Sequence, residues 1–170
     1  MLRLNLGAGN TKLEGFTSVD LYDKEADIQA DICKLPFKSN SIDEIVCYQV
    51  IEHVPYQNST KVFAEMYRVL KKGGTAIIET PDIDVICAKI LSEGLTMPMI
   101  YNLVGEYYRP WDKDRYEDWE NVAAAIHRNP WNFQRLSDEA NKVGFQSSQV
   151  TNMEEMVSKF PENLRVVLTK

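Results

Sequence analysis

The sequence predicts an α/β fold built on an open, mostly parallel sheet, with an antiparallel last strand and a helical insertion after the fifth strand. Three observations lead there. Short β-branched runs alternate with stretches of helical period. One strand–helix–strand unit is complete between Ile42 and Thr80. The first strand closes on the turn Gly7-Ala8-Gly9-Asn10, at the strand end where open α/β sheets bind their ligands.

Taken in order, Leu2 to Leu6 reads as the first strand, Phe16 to Leu21 as the second and Ile28 to Ile32 as a weaker third. Ile42 to Ile51 is apolar and β-branched at its centre, as expected of a strand covered on both faces. Val62, Phe63, Met66, Val69 and Leu70 then fall on one helical stripe. Asn58 or Ser59 suits the start of that helix, Arg68, Lys71 and Lys72 its negative end, and Gly73 its stop. Thr75 to Thr80 is the fifth strand, halted by Pro81, so the unit is a right-handed crossover. Residues 83–129 follow as a helical insertion or cap, with one helix near Val85 to Leu91 and another carrying Trp119, Val122, Ala123 and Ile126. Leu136, Ala140 and Val143 line a last helix closed by Gly144, and strands at Ser147 to Thr151 and Arg165 to Thr169 end a single domain of residues 1–170.

Composition narrows the function. With 44% hydrophobic and 26% charged residues the chain is an ordinary globular protein. A net charge of -6 argues against nucleic acid or an anionic membrane as partner. No run is long and apolar enough to span a bilayer, and no signal peptide opens the chain, so a cytoplasmic protein is expected. Cys33, Cys47 and Cys87 are odd in number and widely spaced; without a CxxC pair or Cys/His cluster, no metal is expected and the thiols read as small buried hydrophobes.

The glycine turn and two acids carry the chemistry. Gly7 and Gly9 let backbone N–H groups approach a ligand closely. A dinucleotide fingerprint requires a third glycine and an acid about 20 residues further on. Here the third glycine is missing and only ten residues separate Gly9 from Asp20, which disfavours NAD or FAD. Asp20, closing the second strand, suits the two hydroxyls of a ribose, and Asp31, after the third, an adenine amino group; the alternative for each is a loop cap.

These residues lie in a longer series. Leu4-Asn5-Leu6-Gly7-Ala8-Gly9-Asn10, Gly15-Phe16, Val19-Asp20, Asp31-Ile32, Leu35-Pro36-Phe37 and Ser41-Ile42-Asp43-Glu44-Ile45 come first. Val50-Ile51-Glu52-His53-Val54-Pro55, the segment Glu65 to Gly74 and Thr80-Pro81-Asp82 continue it. In that order and register the chain resembles the class I S-adenosylmethionine-dependent methyltransferases, and within them a small branch whose first motif reads LNLGxGN…VD. The likeness is dense over residues 2–82 and looser over 127–170. It implies a Rossmann-like sheet and S-adenosyl-L-methionine as cofactor. Gly7, Ala8 and Gly9 would wrap the methionine end, Asp20 with Leu21 would hold the ribose, Asp31 and Ile32 would flank the adenine, and Gln49 would lie near the methyl. Asn5 stands where the wider superfamily places an acid toward the methionine ammonium. The N-terminal helices that usually cover the pocket are missing from the pattern.

His53 and His127 are the candidate general bases, because imidazole titrates near neutrality. The alternative for His53 is that Glu52 and His53 fix the loop into the next helix. Tyr107, Tyr108, Arg109 and Trp111 are read either as a substrate cap or as packing and homodimer contacts. The expected activity is methyl transfer to a small-molecule or sugar-like acceptor; the competing reading is a non-catalytic module that binds the same cofactor.

Overall fold

The computed structural model describes residues 1–105, 126–150 and 162–170. Its strands are β1 Arg3–Leu6, β2 Thr17–Asp20, β3 Ile28–Gln29, β4 Ile42–Tyr48, β5 Leu70–Pro81, β6 Gln146–Val150 and β7 Asn163–Thr169. They form one sheet in the order β3-β2-β1-β4-β5-β7-β6. β1 to β5 run parallel, and β7 enters antiparallel between β5 and β6. The expected open sheet with an antiparallel last strand is therefore present. The third strand is shorter than its apolar run, because Asp31 and Ile32 already belong to the loop beyond it.

The described helices are α1 Ser59–Val69, α2 Ile83–Glu93, α3 Met97–Val104 and α4 Phe133–Lys142. Val62, Phe63, Met66 and Val69 of α1 and Leu136 and Ala140 of α4 are buried with Leu4, Leu6, Ile45, Cys47, Ile78 and Val166 in one core. That core occupies one face of the sheet. The cross-strand rows Arg3–Glu44–Thr75–Thr169 and Asn5–Val46–Ile77–Val167 point the other way. At its centre β4 is covered on both faces as expected, with Ile45 and Cys47 buried in the core and Val46 buried on the opposite side, while Glu44 and Tyr48 toward its ends are half-buried. Its run of β-branched residues reflects strand propensity as much as burial.

The ends of α1 differ from the local expectation. Asn58 makes no side-chain cap; a single 3-10 turn, Tyr56–Asn58, leads into the helix. Ser59 is buried and its Oγ accepts from Asn129 Nδ2 at 2.8 Å. At the other end Leu70 is already extended, and Gly73, at φ +77°, belongs to the strand that follows. The terminal carbonyls are covered from a distance: Lys170 Nζ donates to Tyr67 O at 2.6 Å and Leu70 O at 2.7 Å. Lys71 instead pairs with Asp43 at 2.7 Å.

α2 is longer than expected, capped by Asp82, which accepts from Asp84 N at 3.0 Å. α3 had no sequence expectation. Ile126, assigned to a helix by its spacing, forms a β-bridge to Gly105. The rest of that helix, with Trp119, Val122 and Ala123, and the segment of Tyr107, Tyr108, Arg109 and Trp111 lie outside the described residues. Among the described residues no helix is long and apolar enough to cross a membrane.

Candidate functional site

At the carboxyl edge of the sheet the chain leaves β1 through two left-handed residues, Gly7 at φ +64° and Gly9 at φ +48°. L side chains seldom adopt that conformation. The two glycines serve different ends. A Cβ on Gly7 would lie 2.3 Å from Val50 Cγ2, so the close approach there is to the protein's own loop after β4. A Cβ on Gly9 would meet nothing within 4 Å, which leaves its peptide open to the cleft. Asn5 is buried and its Nδ2 donates to Thr11 O at 3.1 Å, closing the turn from inside.

Asp20 joins the first two strand tips. Its Oδ2 accepts from Gly9 N at 2.8 Å, while Oδ1 accepts from Tyr22 N at 2.8 Å and Asp23 N at 2.9 Å. The carboxylate is thus a loop cap and a wall of the cleft at once. Asp31 is exposed and accepts from Cys33 N at 2.8 Å, the smallest of local turns. Ile32 packs into the core with 9% of its surface exposed, while Leu21 is 43% exposed at the rim.

Gly7, Gly9, Asp20, Leu21, Asp31, Ile32, Gln49 and His53 line one cleft of about 450 Å³, within the usual range for a small-molecule site. Asn5 and Ala8 lie outside it. They border a neighbouring cavity of about 300 Å³ together with Glu79, and Gly7 and Gln49 touch both spaces. Gln49 therefore stands at the junction. It is a non-glycine residue at φ +57°, its N–H donates to Glu79 O at 2.8 Å, and its Nε2 is buried with no hydrogen-bond partner. Backbone strain with an unmet donor is characteristic of ligand sites.

The far wall was not legible in the residue spacing. Glu52 is 2% exposed; its Oε2 accepts from Thr80 Oγ1 at 3.1 Å and its Oε1 has no partner. Burial pushes its carboxyl up to about 8. His53 is held down to about 4 by burial first and His127 second. The two imidazoles meet edge to face, centroids 4.9 Å apart. Arg128 N and Asn129 N donate to Glu52 O at 2.8 and 3.1 Å, which draws the segment carrying His127 across the sheet edge. His127 faces Glu52 in a small space behind the cleft rather than the cleft itself. A neutral, weakly basic His53 is a poor general base at pH 7. The sequence signals for this cluster were adjacent Glu52 and His53 just past β4 and the second histidine, His127, but nothing in their spacing joined them.

Glu79 forms a second buried feature that spacing could not show. It is fully buried and pairs with Arg165 Nη2 at 3.1 Å, and the guanidinium lies 5.5 Å from the centroid of the Tyr48 ring. The thiols differ among themselves: burial raises Cys47 and, with Asp31, lifts Cys33 to about 11, whereas Cys87 is exposed on α2 and not buried as expected.

Residues 13–78 match the family model described as a methyltransferase domain. That match covers less than half of the chain, and the likeness to solved structures is one of fold. The fold matches a SAM-dependent methyltransferase from Thermotoga maritima with a TM-score of 0.60 at 16% identity, covering 99% of this chain and 82% of that one. It also matches the 1,6-didemethyltoxoflavin-N1-methyltransferase of Burkholderia thailandensis, solved with 1,6-didemethyltoxoflavin and S-adenosylhomocysteine bound, with a TM-score of 0.58 at 14% identity over 99% and 70% of the two chains. In sequence the domain is similar to an uncharacterised protein of Methanocaldococcus jannaschii, 44% identical over 55 residues, 32% of this chain. That match spans 23% of the relative's length.

Proposed function

We propose that this domain binds S-adenosyl-L-methionine and transfers its methyl group to a small-molecule or sugar-like acceptor. The observation that carries the reading is the Gly9 N–H to Asp20 Oδ2 contact of 2.8 Å, which locks an open glycine turn against a carboxylate at the mouth of the cleft. A cofactor with a ribose and a flexible charged tail fits such a site: the glycine peptide is uncovered, and Gln49 Nε2 is buried without a partner at the junction of two connected spaces.

In this reading Asp20 keeps its backbone bonds through Oδ1 and offers the remaining acceptor capacity of Oδ2 to the ribose hydroxyls. Ile32 supplies an apolar wall for the adenine and Asp31 an acceptor at its edge. The Gly7-Ala8-Gly9 turn directs the methionine end toward the smaller cavity. There Asn5 already spends its amide on Thr11. When bound, the cofactor supplies an electrophilic methyl group; the protein's own part is to orient it, hold the acceptor in line and keep water away. Val50 and Gln49 position the methyl from the β4 loop. The acidic net charge of -6 favours an uncharged or cationic acceptor over nucleic acid.

Calorimetry with S-adenosylmethionine, S-adenosylhomocysteine and NAD tests the binding step, and transfer of labelled methyl to a panel of small alcohols, amines and sugars tests the reaction. Binding of both sulfur compounds and transfer to one acceptor class is expected. Binding of NAD alone overturns the proposal. Cofactor binding with no transfer to any acceptor leaves the non-catalytic module as the function.

A further inference from the structure

We infer that Glu52, His53 and His127 form a binding site for one divalent first-row transition-metal ion between the cleft and the small space behind it. Ligand atoms of these three side chains all lie within 4.8 Å of one another. On a tetrahedral ion with metal–ligand distances of about 2.1 Å, neighbouring ligands stand about 3.4 Å apart, so the three side chains need to draw together only slightly to hold one. Two imidazoles and one carboxylate select zinc, cobalt, iron or manganese over calcium and magnesium, which take oxygen.

Two independent features point to an ion. Glu52 Oε1 is sealed from water with no hydrogen-bond partner among the described residues, a costly state for a carboxylate oxygen unless a cation or proton occupies the space. His53 Nδ1 lies 3.3 Å from Ile126 O. A carbonyl can only accept, so Nδ1 carries the proton and the Nε2 lone pair is left for a ligand. Backbone carbonyls fix metal-binding histidines in this way. The ligand set is assembled across the fold: Glu52 and His53 follow β4, while His127 is brought over by the backbone bonds to Glu52 O and by His127 N donating to Val104 O at 3.1 Å. Three protein ligands leave positions open for water or an acceptor atom, the pattern of catalytic rather than structural sites.

Binding of the ion stands on these side chains and not on the methyl-transfer reading; only its use on an acceptor would rest on that. The test takes the full chain stripped with a chelator and titrates it with Zn²⁺ in a calorimeter and Co²⁺ by visible absorption. One saturable equivalent per chain is expected, with Co²⁺ ligand-field bands of a nitrogen–oxygen set. His53→Ala, His127→Ala and Glu52→Gln should each weaken binding at least about tenfold and remove those bands, while Cys33→Ser changes neither. His127→Gln keeps the side chain's bulk should alanine unfold the loop, and far-ultraviolet dichroism with S-adenosylmethionine calorimetry reports on fold and cofactor separately. Absence of saturable binding overturns the inference. So does binding that survives both histidine variants, or thiolate bands that vanish with Cys33→Ser.

Discussion

The two sides of the cleft are built by opposite means. On the β1–β2–β3 side the side-chain hydrogen bonds are short in sequence: Gly9 with Asp20, Asp20 with Tyr22 and Asp23, Asp31 with Cys33, and Asn5 with Thr11. Turns of this kind form from the residues themselves and sit at the solvent boundary. On the β4–β5–β7 side the contacts span the chain. Glu52 reaches Thr80, His53 meets His127 and Glu79 pairs with Arg165, with both carboxylates sealed from water. The difference teaches that ligand shape is set on the local side, where the backbone does the work. Charge and protonation are set on the distant side, where burial makes each polar group costly to leave unmet.

The contrast is most exposed to failure at Glu79. Arg165→Met withdraws the guanidinium from a fully buried carboxylate and should cost about 3–5 kcal/mol of unfolding free energy in urea. A loss below 1 kcal/mol would show that water reaches the pair and that the distant side is no drier than the other.

Glu52 gives a pH test in the metal-free protein. Its folded value of about 8 lies above its ordinary value, so the folded state holds a proton that the unfolded chain releases. Its contribution is intact below the unfolded value and is lost as pH rises through about 8. Glu52→Gln should therefore gain on wild type across that window, by a few kcal/mol at its alkaline end. His53, held down to about 4, acts in the other direction: stability falls as pH drops from its ordinary value toward that one. The glutamine variant should keep this acid-side slope. Urea unfolding in a pH series with chelator present separates the two; parallel curves for variant and wild type would refute a buried neutral Glu52.

On the local side, Gly7→Ala combines a left-handed backbone with a contact of 2.3 Å to Val50. It should cost about 2–4 kcal/mol. Gly9→Ala meets no neighbour and should cost only about 1 kcal/mol, yet still weaken S-adenosylmethionine binding in calorimetry. Equal stability losses would mean that the two glycines do the same job. Asp20→Ala removes three backbone bonds and should lower stability by about 1–2 kcal/mol while cutting cofactor affinity at least about tenfold, the worth of one charge-assisted hydrogen bond. Unchanged affinity would restrict Asp20 to capping its loop. Asp31→Ala comes last: an exposed residue with one local contact should change stability by less than about 1 kcal/mol and affinity by a few-fold.

Much of this was legible from the residues. The strands along the chain, the glycine turn, Asp20 at the end of β2 and the buried stripe of α1 follow from period-2 and period-3.6 patterning, which a chain carries in neighbouring positions; the order of the strands across the sheet does not. The ends of α1 were not. Capping residues stood at the right places, yet Asn58 caps nothing and Gly73 stops nothing, because the 3-10 turn and the ammonium of Lys170 do those tasks. Lys170 is a hundred or more positions from the carbonyls it covers, beyond any local rule.

Local patterning is enough to set an open glycine bend at the tip of β1, a carboxylate at the tip of β2 and a second carboxylate in the loop beyond β3, since strand, turn and acid are consecutive along the chain. Only the tertiary structure decided which groups would be dehydrated together. The approach of His127 to Glu52 and His53, and of Arg165 to Glu79, depends on crossings between distant segments. Burial is a property of that packing, and it is burial that turns ordinary side chains into a neutral acid, a bare imidazole and a sealed ion pair.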